Sequence, residues 1–205
     1  MENQKSSVIS CYLGLTVVRR EVLKRVNYYK QQIEVLLFQY KNPLTEVHIT
    51  LVPPFHTDYE TASHINLECA LSTLKSTSIV NSTVFYMQGL SSMQFEGDTI
   101  IHFPVSVMRK DGDEGSEDEI FSKRVQLFRQ QIKAIGGELR EKIPENYTPH
   151  ISVYTKWKGS LSKKVEDLIQ KSKQDEIIYF RATYPTLYAK YKGFWYRDLI
   201  SNPNC

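Results

Sequence analysis

Apolar and polar positions along this chain fall into two periods. Residues 8–18 are dense in apolar and β-branched side chains and predict a strand. Beyond them Val22, Val26, Tyr29, Ile33, Leu36 and Tyr40 recur at spacings of three and four, which marks one face of a long helix. Residues 47–52 alternate as a short strand, and Pro53-Pro54 is expected to end it, because proline cannot donate to a ladder. Ile65, Leu67, Leu71 and Leu74 suggest a helix across 60–76, and 82–90 reads as strand again. Residues 99–107 predict another strand. Phe121, Val125, Phe128, Ile132 and Ile135 then step by four and three as an amphipathic helix that ends at Gly136-Gly137. A short strand follows over 151–154. Leu161, Val165 and Leu168 mark a helix, and strands are predicted over 176–184 and 193–199.

The order strand, helix, short strand, helix, strand therefore occurs twice, which predicts an internal structural repeat. A repeat places related residues at matching positions, and one pair of motifs meets that test. The first short strand contains Val47-His48-Ile49-Thr50-Leu51 and the second contains Pro149-His150-Ile151-Ser152-Val153. Residues two apart on a strand share a face. His48 is thus expected to project with Thr50, and His150 with Ser152, while Ile49 and Ile151 point into a core. If a pseudo-twofold axis relates the halves, the two pairs face one another across a cleft.

Two imidazoles suit paired acid and base work near neutral pH. A neutral ring takes a proton from attacking water or hydroxyl, and a protonated ring gives one to the leaving oxygen. Two hydroxyls donate hydrogen bonds to non-bridging phosphate oxygens as charge develops. No metal is required, and phosphodiester hydrolysis or transfer fits, since positioning and charge stabilisation dominate phosphate chemistry. A single H-x-T occurs by chance in many chains, so the weight lies on its repetition. His56 follows the Pro53-Pro54-Phe55 turn and reads as an exposed loop residue at most lining the cleft mouth. His64 and His102 have no matching partner in the other half and are expected to be structural.

Composition adds limits. The chain has 205 residues, 41% apolar and 24% charged, which suits a folded domain and excludes a disordered one. No apolar run reaches the length of a membrane span, and residues 1–5 do not read as a signal peptide. Cys11, Cys69 and Cys205 lack metal-ligand spacing, and a reducing, cytoplasmic setting is expected. The net charge of +3 conceals an asymmetry. Asp111, Asp113, Glu114, Glu117, Asp118 and Glu119 crowd into an expected exposed loop, and without those six the charge is +9. A basic body suits an anionic ligand such as a nucleotide or RNA. A solvated acidic loop on an ordinary basic protein accounts for the same distribution.

The two motifs resemble those of the two-histidine (2H) phosphoesterase superfamily, which includes the bacterial and archaeal RNA 2′,3′-cyclic phosphodiesterases once called 2′-5′ RNA ligases. The stretch from His48 to Phe55 and the approach Tyr147-Thr148-Pro149-His150 look similar to the bacterial branch. Residues 187–199, with Gly193-Phe194-Trp195-Tyr196, resemble the closing strand of that family. The resemblance implies an α+β, bilobed fold with two pseudo-symmetric β-α-β-α-β halves and a central cleft. The whole of 1–205 is then one domain, its lobes 1–95 plus the C-terminal strand, and 96–185. The resemblance also implies metal-independent catalysis without a cofactor, carried by His48, Thr50, His150 and Ser152. Ser152 stands where many members have threonine and keeps the hydroxyl donor.

The expected substrate is a nucleotide or RNA phosphodiester, above all a 2′,3′-cyclic or 2′-linked phosphate. Phe55, Tyr147, Tyr154, Trp157 and Tyr196 lie near the motifs and are candidates to stack on a base, although aromatics in a small α+β protein serve mostly as core. Lys156 and Lys158 flank Trp157, and Lys190 and Lys192 precede the last strand as a basic wall. Other readings are hydrolysis of a cyclic or 2′-5′ oligonucleotide immune messenger, a nucleotide- or RNA-binding module without turnover, and a structural protein. No membrane and no obligate protein partner is implied.

Overall fold

The computed structural model describes residues 8–39, 46–66, 83–95, 97–108, 123, 125–126, 129–130, 133–134, 149–158, 160–183, 185–192 and 194–196. Strand β1 (Ile9–Thr16) leads into helix α1 (Arg20–Leu37) and strand β2 (His48–Thr57), followed by a helix α2 over 59–66. Strands β3 (Phe85–Met87), β4 (Ser91–Phe95) and β5 (Asp98–Val107) come next. The described residues between 123 and 134 are helical. Strand β6 (His150–Trp157), helix α3 (Lys163–Ser172) and strands β7 (Ile178–Phe180), β8 (Pro185–Tyr191) and β9 (Phe194–Tyr196) complete the order. The fold is mixed α+β with two antiparallel sheets, one ordered β2-β1-β8-β9 and one ordered β4-β5-β3-β7 with β6 against β5.

Helix α1 buries Val22, Val26, Tyr29 and Ile33 as its periodicity predicts, together with Leu37, while Leu36 packs partly buried against the same core and Tyr40 lies outside the described residues. Lys30 and Glu34, one turn apart, are buried on it as an ion pair. The helix lies against β6, β7 and α3. Tyr29 donates to Asp175 Oδ2 (2.7 Å), and Arg25 Nη1 donates to the Glu176 carbonyl, so α1 is tied to the chain leaving α3. On β3's side, Leu90 N–H donates to Ser172 Oγ (2.7 Å), which in turn donates to the Ile169 carbonyl (2.6 Å). Gly89 makes that approach possible, because a Cβ there would stand 2.7 Å from Lys173 Cα.

Several elements differ from their sequence-based expectation. Strand β2 does not stop at Pro53-Pro54 but runs through them to Thr57. It is the edge strand of its sheet, and the β1–β2 register shifts between Leu13↔Val52 and Cys11↔Phe55, so the prolines fall where a ladder bond is not needed. The strand expected over 82–90 is confined to β3, and β4 is additional. Its Ser91-Ser92-Met93-Gln94-Phe95 sequence carries little apolar signal, and it forms as the partner of β5 around a tight turn with Gly97 at φ 81. The strand expected over 176–184 is the three-residue β7. The closing strand is a hairpin, β8 and β9, turning at Lys192 with φ 48. The helix expected across 60–76 is described only over 59–66. Of the helix expected from Phe121 to Ile135, Val125 is helical and buried, while Phe121, Phe128, Ile132, Ile135 and Gly136-Gly137 lie outside the described residues, as does the acidic stretch 111–119.

The first sheet draws its strands from both ends of the chain. β3 and β4 pair with β5, so a division at residue 95 does not follow the sheet boundary, while β8 returns to pair with β1. Alternation turns Leu13, Leu15, Ile49, Leu51, Leu187 and Ala189 to one side of the first sheet, where all are buried. Among the described residues no helix is long and apolar enough to cross a membrane.

Candidate functional site

The first residues of β2 and β6 are His48 and His150, and these two strands lie against one another where the sheets meet. Cross-strand register builds the surroundings of His48. Thr16 pairs with His48 and Gly14 with Thr50 on one side of the ladder, and Tyr12 pairs with Tyr188 on the other. Alternation then brings His48, Thr50, Tyr12, Gly14, Thr16 and Tyr188 to a single face, opposite the apolar one.

The His48 ring is held closely. It stacks on Tyr12 (4.6 Å between centroids, 28°), which stacks on Tyr188 (4.5 Å, 8°), and Trp195 meets Tyr12 edge-on at 4.8 Å. The Tyr188 hydroxyl donates to Glu46 Oε2 (2.6 Å) and takes a hydrogen bond from Thr16 Oγ1 (2.5 Å), which locks the far ring of the stack. His48 Nδ1 lies 3.1 Å from the Glu46 carbonyl and 3.3 Å from the Tyr12 hydroxyl. A carbonyl only accepts, so Nδ1 is assigned the proton and Nε2 the lone pair. Gly14 leaves the room the ring needs, since a Cβ there would meet His48 Cδ2 at 3.2 Å.

Electrostatics favour the neutral ring. Burial pushes the His48 pKa down to about 4, partly opposed by the Glu46 carbonyl and carboxylate and reinforced by His150. Burial, helped by Tyr188 and Glu46, holds the Tyr12 phenol well above its ordinary value, so it remains protonated. An imidazole with a free lone pair at neutral pH is competent as a base.

Around His150 the structure adds a residue that sequence reasoning set aside. His102, on β5, is the cross-strand partner of Ser152, and Pro104 is the partner of His150. The His102 ring meets that of His150 at 5.3 Å and 69°. His102 is 6% exposed, and burial followed by the charge of His150 pushes its pKa down to about 4. Its sequence signal was only its place on a strand. The register that sets it beside Ser152 joins residues 50 apart and has no local trace. His56 lies on β2, with Nδ1 3.1 Å from Ser10 Oγ, rather than in a loop, and His64 lies on α2.

The aromatic candidates separate. Phe55 and Tyr154 are 1% and 2% exposed and belong to the core. The Tyr154 hydroxyl donates to Gln39 Oε1 (3.0 Å), just beyond the end of α1. Trp157 is partly buried against the core, and its Nε1 donates to the Ser160 carbonyl (3.2 Å). Tyr196 is 45% exposed, but it pairs with Ala189 and so faces away from Tyr188 and His48. Its neighbour Trp195 pairs with Lys190, lies on the His48 face, and has Lys190 Nζ 5.7 Å above its ring. Tyr147 lies outside the described residues. Among the described residues no group of three or more His, Cys, Asp or Glu is arranged to hold a metal ion. Cys11 is buried with its thiol pushed up to about 12, which leaves it unreactive. No protein-family model and no curated protein matches the chain.

Proposed function

We propose that this protein is a phosphodiesterase of the 2H type, acting on nucleotide or RNA substrates with a 2′,3′-cyclic or 2′-linked phosphate. The observation that carries the proposal is the apposition of β2 and β6, which sets His48 and His150 close enough for the charge of one to act on the other. Bilobed architecture with a central cleft belongs to the same proposal. His48, neutral and oriented through Nδ1, takes a proton from water at Nε2. The water oxygen bonds to phosphorus, the bond from phosphorus to one ribose oxygen breaks, and that oxygen leaves with a proton from His150. Thr50 and Ser152 donate to the non-bridging oxygens as negative charge grows on them. No cofactor enters this scheme.

The test is turnover of a 2′,3′-cyclic nucleotide, ADP-ribose 1″,2″-cyclic phosphate, 2′-5′ oligoadenylate and a cyclic dinucleotide, each with and without EDTA. The expected result is EDTA-insensitive hydrolysis of at least one, reduced about 10²–10⁴-fold in His48→Ala and in His150→Ala. Preference for the oligonucleotides over the cyclic mononucleotide would assign the site to messenger degradation. Binding without turnover of any of the four would make the protein a nucleotide-binding module. EDTA-sensitive turnover would overturn the metal-free scheme.

A further inference from the structure

We infer that His102 is a third imidazole of the site and a direct contact for an oxygen of the bound phosphate, resting on the phosphodiesterase reading of the cleft. Three observations converge on it. The first is position: opposed residues on antiparallel strands hold their Cβ atoms about 4.5–5.5 Å apart on one face. Pairing with Ser152 therefore sets the His102 side chain beside the hydroxyl proposed to hold a phosphate oxygen. The second is its contact with the His150 ring, the other group proposed to meet the substrate there. The third is an unmet need. His102 is 6% exposed, its Nδ1 is buried without a hydrogen bond of good geometry among the described residues, and its contact with the Ile100 backbone only partly offsets the effect of burial.

A buried polar nitrogen without a well-formed hydrogen bond is costly, and phenylalanine would fill the same space without that cost. Burial also keeps the ring neutral before ligand arrives, so it does not compete with His150 as a second cation. A neutral imidazole carries one N–H, and an anionic oxygen bound between Ser152 and His150 would draw it from its contact with the Ile100 backbone, because a charged acceptor is the stronger one. The ligand class is an oxyanion of phosphorus, and the role is binding rather than proton transfer.

The test follows imidazole C–H resonances of the full-length protein during titration with inorganic phosphate, alongside His102→Phe and His102→Gln. Phosphate is expected to shift the resonances of His48, His150 and His102 together. His102→Phe should weaken phosphate binding about tenfold and raise KM for the cyclic substrate, with an unchanged or higher melting temperature. His102→Gln, which restores a donor, should recover most of the affinity. Should phosphate move the His48 and His150 signals but not His102, with His102→Phe binding as tightly as the parent, His102 is packing alone and the phosphodiesterase reading survives. Should phosphate move none of the three and no substrate turn over, both fall together. The wild-type titration decides the matter even if His102→Phe does not fold.

Discussion

The enclosed His48 ring has consequences for pH that an exposed imidazole would not have. Its pKa of about 4 keeps it a base through the neutral range, so the acid limb of kcat/KM should fall with a midpoint near pH 4 instead of near 6.5. A rate profile between pH 3.5 and 8 checks this. Stability responds in the same window. At pH above 6.5 the rings of His48 and His102 are neutral in both folded and unfolded chains. Between 6.5 and about 4 the unfolded chain takes up protons that the folded one refuses. The melting temperature is therefore expected to drop as pH falls through that window, and to drop less in His102→Phe. Gly14 offers a second test of the ring's placement. In Gly14→Ala the new Cβ meets His48 Cδ2 and the Ile49 carbonyl, each at 3.2 Å. The ring can turn aside but the Ile49 carbonyl is backbone and must also shift, so turnover should fall about tenfold or more and the melting temperature should drop by a few degrees.

Helix and hairpin ends carry predictions of their own. Helix α1 closes with Phe38 in the left-handed region at φ 51, its side chain 90% exposed, and with Gln39 N–H donating to the Glu34 carbonyl. This is the backbone of a glycine cap occupied by an aromatic residue that buries nothing. Phe38→Gly is expected to stabilise the protein by about 1 kcal/mol, read from a denaturant midpoint. Gly89 presents the opposite case. In Gly89→Ala a Cβ would stand 2.7 Å from Lys173 Cα and 2.9 Å from Lys173 N, both backbone atoms. The chain between β3 and β4 must then lift from the end of α3, straining the Leu90–Ser172 hydrogen bond. A loss of about 1–3 kcal/mol is expected in the same measurement, with turnover per folded molecule unchanged.

At the scale of the whole molecule, the contrast between legible and hidden features follows from the range of the interactions involved. Helix α1 was readable because its buried side chains recur every three or four residues. The H-x-[ST] pairs were readable because they repeat. β4 was not, because its polar sequence acquires strand geometry only from pairing with β5. Nor was the passage of β2 through Pro53-Pro54, since only the sheet order reveals that β2 is an edge. Phe55 and Tyr154 looked like ligand contacts by proximity along the chain, and packing turned them into core. Tyr196 and Trp195 are neighbours in sequence, and only the β8–β9 register shows that Trp195 is the one on the His48 face. The sequence by itself determined the local periodicities, the doubled motif and the excess of positive charge. Tertiary structure alone decided which strands meet, that Tyr12 and Tyr188 stack behind His48, and that His102 stands beside Ser152 and His150. The physical reason is that a strand's faces follow from its own alternation, whereas its neighbours are set by hydrogen-bonded ladders between segments far apart in the chain.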